Sequence, residues 1–194
     1  MGRIVVTEFV SLDGVMEDPG GSESFKHGGW SFEINRGDEG DKFKLDEAAS
    51  SEAMLLGRVT YEGFAEAWPS REGEFADKFN SMPKYVVSSS LEKPEWNNSK
   101  VLKGDVVNEV AELKKDIDGD IVVHGSARLV QTLVEHDLVD ELRLMVFPVV
   151  LGGGKRLFGE ATGKKPLRLV DSKIVGDGVA ILVYEPEAGA SDSD

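Results

Sequence analysis

Three short stretches of this chain place glycine or small hydroxyl residues at the end of an apolar run. They are Gly57-Arg58-Val59-Thr60-Tyr61, Ser88-Ser89-Ser90 and His124-Gly125-Ser126-Ala127-Arg128. The chemistry these residue types suit is anion binding. The first N–H groups of a helix have no partner inside it, and the helix dipole adds partial positive charge there. Gly57 lets backbone approach a ligand closely, Arg58 offers a planar fork suited to phosphate, and Thr60 adds a hydroxyl. Gly125, Ser126 and Ala127 are small enough for a diphosphate to settle on the helix start, with Arg128 beside them. Ser88 and Ser89 suit phosphate or ribose oxygens, and suit an ordinary turn equally well. Each stretch also reads as a plain turn, but together they suggest an extended anionic ligand such as a dinucleotide. The G-x-G-x-x-G fingerprint is absent, and Gly152-Gly153-Gly154-Lys155 lacks the spacing of a Walker phosphate loop.

Positioning such junctions requires strands that alternate with helices. Residues 4–10 form an apolar, β-branched run that reads as a buried strand. Residues 11–40 are rich in Gly, Asp, Glu and Ser, a length that a compact domain tolerates when the loop is functional. From Asp41 the spacing turns helical, with Leu45, Ala48, Ala49 and Ala53 on one face. Short apolar strands are expected at 54–56, 85–87, 100–102 and 121–123, with helices from about Val59 to before Pro69 and over 74–81. Asp105 and Ser126 are expected to cap two further helices. Residues 139–150 read as one long strand, and 167–175 with 179–184 as a hairpin turning at Gly176-Asp177-Gly178. Continuous apolar strands between helices predict a three-layer α/β/α domain with a mostly parallel sheet, closed by an antiparallel edge. Ligands bind at the carboxyl ends of strands in such sheets.

The composition narrows the function. Of 194 residues, 22 are Lys or Arg and 36 are Asp or Glu, giving a net charge of −14. That balance argues against binding the backbone of nucleic acid. With no Cys and only His27, His124 and His136, scattered along the chain, no metal site is expected. No apolar stretch is long enough to span a bilayer and no signal-peptide pattern opens the chain, so a cytoplasmic location is expected. Residues 186–194 read as a disordered acidic tail after a single domain over 1–185.

Further motifs occur in order along the chain. They are Ser11-Leu12-Asp13-Gly14, Leu55-Leu56-Gly57-Arg58-Val59-Thr60-Tyr61-Glu62, Lys84-Tyr85-Val86-Val87-Ser88-Ser89, His124-Gly125-Ser126-Ala127, Leu138-Val139-Asp140-Glu141-Leu142, and Pro148-Val149-Val150-Leu151-Gly152-Gly153-Gly154 with Leu157-Phe158. The set resembles the dihydrofolate-reductase-like superfamily. More closely, it resembles the C-terminal reductase domain of the bifunctional riboflavin-biosynthesis deaminase–reductase in its stand-alone form, over residues 3–185. The resemblance implies a mixed sheet of about eight strands and an NADPH-dependent reductase that forms homodimers. It assigns Arg58 and Thr60 to the cofactor phosphates, Ser88 and Ser89 to the adenosine 2′-phosphate side, and Gly125, Ser126, Ala127 and Arg128 to the diphosphate. The implied substrate is 5-amino-6-(5-phosphoribosylamino)uracil. Dihydrofolate, and a non-catalytic nucleotide-binding module on the same fold, are the alternatives. Two positions depart from the pattern: His124 stands where riboflavin-pathway reductases carry an acid, and Ser126 replaces a glycine.

A reductase of this kind also needs a proton source. Asp41, matched by counting back from Gly57-Arg58 to the carboxylate of folate reductases, and Asp13 are the candidate acids. Glu8 is a further one, since a carboxyl inside an apolar strand is costly to bury unless paired or functional.

Overall fold

The computed structural model of the protein describes residues 1–160 and 163–187. Most of the expected tail, from residue 188 onward, lies outside the described residues. The elements run β1 (Arg3–Ser11), α1 (Gly37–Ser50), β2 (Ser51–Gly57), α2 (Arg58–Ala67), α3 (Glu74–Ser81), β3 (Lys84–Val87) and β4 (Ser99–Leu102). They continue with α4 (Val106–Asp116), β5 (Asp120–Val123), α5 (Ala127–Glu135), β6 (Glu141–Phe147), β7 (Leu167–Val175) and β8 (Val179–Pro186). One eight-stranded sheet has the order β4-β3-β2-β5-β1-β6-β8-β7. Pairing is parallel from β4 to β6 and antiparallel at β8 and β7, as the sequence led us to expect.

Alternation along the central strands explains the layers. Ile4, Val6 and Val10 of β1 pack with Ile121 and Val123 of β5 against α4 and α5. Val5 and Val122 pack on the opposite face with Tyr61 of α2 and Phe79 of α3. Covered on both faces, these strands must be continuously apolar, which is how they read in the sequence. A third cluster, with Trp30, Phe147, Val175 and Ile181, anchors the hairpin and the long loop before α1.

Several expectations are corrected. The first helix begins at Gly37, so Asp41 is a full turn inside it and caps nothing. Its inward residues are Gly40, Lys44, Glu47 and Ala48, while Ala49 is exposed and Ala53 belongs to β2. The buried side of α1 is therefore polar, which an apolar-periodicity reading misassigns. The strand expected over 139–150 is shorter: Pro148 has no N–H to continue the ladder, and the Val149 N–H turns back to the Phe147 carbonyl at 2.8 Å. Asp105 does cap α4, accepting the Asn108 N–H at 3.1 Å. Ser126 holds the N-cap position of α5 but makes no capping bond with its side chain.

Candidate active site

The ends of the neighbouring strands β2 and β5 carry two of the three predicted junctions, and the structure knits them together. The Gly57 N–H donates to Ser126 Oγ at 2.9 Å, and the Ser126 N–H donates to Thr60 Oγ1 at 2.9 Å. Ser126 Oγ in turn donates to the His124 carbonyl at 3.1 Å. This explains why Ser126 does not cap its own helix: its hydroxyl is spent across the sheet. Gly125 and Ser126 are both left-handed, with φ of 54° and 62°. A Cβ on Gly125 would lie 2.8 Å from Thr60 Oγ1, so the residue there must be glycine. The result is two helix N-termini, α2 and α5, side by side and free of side-chain caps. The first turns of both helices and their two positive dipole ends lie at the same sheet edge, an arrangement that could hold an anion.

Arg58 and Arg128 flank this region and are exposed. Arg58 pairs with Glu62 one turn on at 3.0 Å, an exposed contact that is weak and easily exchanged for a ligand phosphate. Ser88 follows β3, two strands from β5. Its Oγ accepts the N–H groups of Ser90 and Leu91 at 3.2 and 3.0 Å, so it orders the turn, while Ser89 is exposed.

The candidate acids fall in different places. Asp13 accepts from Ser11 Oγ at 2.6 Å and from the N–H groups of Leu151 and Gly152 at 3.1 and 2.9 Å. Those bonds, the Ser11 hydroxyl first, hold its carboxyl down at about 2. Asp13 thus clamps the loop after β1 onto the loop after β6. Arg156 bonds the Asp13 carbonyl, and Val15 bridges Arg156. The Ser-Leu-Asp-Gly and Gly-Gly-Gly motifs, 138 residues apart, are one structure. Asp41 is solvent-exposed and pairs with Arg36 at 2.5 Å.

The buried acids are elsewhere. Under α1, Lys44 Nζ donates to Thr7 Oγ1 at 2.7 Å and to Glu47, and Thr7 Oγ1 donates to Glu47 Oε1 at 2.9 Å. Arg143 of β6 lies 3.5 Å from Glu47 and pairs with Asp120 and Glu141 at 2.9 and 2.5 Å. Burial works to raise the Glu47 carboxyl, but Lys44 above all, with Arg143, holds it below the ordinary carboxylate range. His124 is packed by Phe64 and Phe79, and its Nε2 is enclosed with no hydrogen-bond partner among the described residues. Burial, aided by Lys44 and opposed by Glu47, pushes its imidazole down to about 3. On the other side of the sheet, Glu8 Oε2 accepts the Gly125 N–H at 3.0 Å, while Oε1 is buried without a partner among the described residues. Burial raises this carboxyl well above the ordinary value, with the Gly125 N–H and Lys44 opposing. The sequence flagged Glu8 as an expensive burial. It gave no sign of Lys44 or Glu47, beyond a Lys and a Glu three apart on a helix.

A cleft of about 810 Å³ opens beside the first junction, between α2 and the β3–β4 connection, lined by Tyr61, Ala65, Leu91 and Trp96 among others. Its rim carries Glu62, Glu66 and Glu95 against Lys93, an acidic balance that disfavours an anionic ligand, so the functional reading rests on the junctions.

The strand order defines a dihydrofolate-reductase-like α/β fold. The model of the RibD C-terminal domain matches residues 3–181, and the chain belongs to that family. Two Bacillus subtilis relatives, the uncharacterized proteins YyaP and YwjB, are each 30% identical. The matches cover 94% of both chains for YyaP, and 89% of this chain and 91% of the relative for YwjB. A solved structure from Shewanella sp. PV-4, named as a candidate riboflavin biosynthesis protein, superposes with a TM-score of 0.77 at 21% identity, covering 95% of this chain and 99% of that one. A pyrimidine reductase-like protein from Corynebacterium diphtheriae superposes with a TM-score of 0.64 at 12% identity, covering 95% and 92%. These two structures share the fold.

Proposed function

We propose that this protein is a reductase that uses NADPH to reduce a small heterocyclic substrate. The observation that carries the reading is the pair of uncapped helix N-termini at adjacent strand ends, joined through Ser126. Gly125, Ser126, Ala127 and Arg128 would hold the diphosphate; Gly57, Arg58 and Thr60 would hold further phosphate oxygens; Ser88 and Ser89 would reach the adenosine 2′-phosphate side. The residues fit the group: small, donor-rich backbone where the diphosphate would lie, and exposed Arg58 and Arg128 at its margins. When bound, reduced nicotinamide supplies a hydride. The chain's own work would be to hold, orient and shield the partners, and we assign the shielding to the loops clamped by Asp13.

The family and the names of its structural neighbours support a riboflavin-type pyrimidine, 5-amino-6-(5-phosphoribosylamino)uracil, ahead of dihydrofolate as substrate. Neither Asp13 nor Asp41 suits proton donation: one holds no proton at neutral pH, and the other is tied to Arg36 in solvent. With Glu8, the remaining candidate acid, committed to the Gly125 N–H, that observation favours, as a second reading, a nucleotide-binding module without chemistry. Fluorescence titration with NADPH, followed by cofactor consumption across pyrimidine and pterin substrates, separates the two. Saturable micromolar binding with turnover supports the reductase; binding without turnover supports the module; no binding refutes both. The partner expected besides substrate is a second copy. The edge strand β7 exposes Leu169, Val170 and Ile174 at 49%, 46% and 68%, and light scattering reads the dimer directly.

A further inference from the structure

Glu8 stands in the middle of a parallel sheet, 6% exposed, at the level where β5 gives way to the Gly125–Ser126 turn. Its Oε2 fastens that turn through the Gly125 N–H at 3.0 Å. Oε1, the other oxygen of the same carboxyl, is enclosed and bonded to nothing among the described residues. The charged groups acting on it are Lys44 and Glu47, both of α1, which oppose each other and also pair with each other. His124 of the same turn is neutral at physiological pH, and Arg128 on α5 is exposed. A buried carboxylate with one N–H donor and no paired cation is a costly species, and a neutral carboxylic acid is a far cheaper one. The direction in which burial moves this group agrees.

Resting on the reading that the α2 and α5 termini hold a dinucleotide diphosphate, we propose that Glu8 is the positioning residue of that cradle and acts as an uncharged acid. Oε2 fixes the Gly125 turn, and the proton on Oε1 keeps negative charge out of the floor on which the anion sits. Binding of the anion and protonation of Glu8 are therefore linked: each favours the other. Above the pH at which Glu8 ionises, the cradle loses affinity.

The test uses the whole protein, NADPH and NADH as probes, and the variants Glu8→Gln and Glu8→Ala. Glutamine is a neutral isostere whose carbonyl can accept the Gly125 N–H. At neutral pH it should bind both cofactors within about twofold of the wild type, whereas alanine, which frees the turn, should weaken binding about two- to tenfold. On raising the pH over the range where circular dichroism shows the fold intact, wild-type affinity should fall about tenfold per pH unit once Glu8 ionises. The glutamine variant should not follow that fall. Difference infrared spectra of the cofactor-free wild type should show a protonated carboxyl band that Glu8→Gln lacks. Absence of that band overturns the proposal, as does a glutamine variant that binds about tenfold tighter at neutral pH, because Glu8 is then a charge that repels the anion. Identical alkaline profiles for wild type and glutamine variant also overturn it. If the band is present but neither cofactor binds the wild type at any pH, the dinucleotide reading fails and the linkage with it.

Discussion

His124 gives the sharpest stability prediction. Its ring packs against Phe64 and Phe79, its Nε2 has no partner among the described residues, and its imidazole is held down to about 3 against an ordinary value of 6.5. The native state therefore stays unprotonated at this site across a range in which the unfolded chain takes up a proton. Stability from this group is complete above 6.5 and is lost as pH falls from 6.5 toward 3. Each pH unit inside that window corresponds to about 1.4 kcal/mol, so at about pH 5 the site alone removes about 2 kcal/mol. His124→Gln keeps a polar group and abolishes the titration. Urea unfolding of both proteins, at neutral pH and at about pH 5, cancels every other titrating group. The difference in stability, wild type minus variant, should shrink by about 2 kcal/mol on acidification. A difference that stays constant to within about 0.5 kcal/mol refutes the account, since His124 would then titrate alike in both states.

Other outcomes follow from the same geometry. Lys44→Met strips the cation from a buried pair and should cost about 3–5 kcal/mol in urea unfolding; adding Glu47→Leu should recover much of that. Asp41→Asn should leave turnover within about twofold of the wild type, because the lost Arg36 pair is exposed. Asp13→Asn should speed hydrogen exchange at the Leu151 and Gly152 amides, whose carboxylate acceptor it weakens. In the wild type that clamp is present above 3.8 and lost as pH falls through about 2.

Much of this was legible in the sequence, for identifiable reasons. Strands such as β5 are covered on both faces and so are apolar throughout. α3 and the final hairpin have clean patterns between Gly or Pro signals, and both lie where they were expected. α1 was misjudged because its inward face carries Lys44 and Glu47, which meet Thr7 and Arg143 only after folding. The roles of Ser126 and Asp13 were hidden for the same reason. Ser126 bonds Gly57 and Thr60 across 69 and 66 residues, and Asp13 bonds the loop after β6 across 138 and 139. Local rules for caps and turns see neither partner. The junctions themselves were visible, because small residues at a strand end need no distant partner to be noticed.

The central claim is that a dinucleotide phosphate lies at the joined ends of β2 and β5. The direct measurement is an amide NMR titration of the wild type and of Gly125→Val with NADPH. Valine cannot adopt φ of 54° without strain, and its Cβ would meet Thr60 at 2.8 Å. The account predicts saturable shifts in the wild type concentrated at residues 57–60 and 125–128, and none in a folded Gly125→Val protein. Shifts confined to the cleft at Tyr61 and Trp96, or no saturation at all, would contradict it.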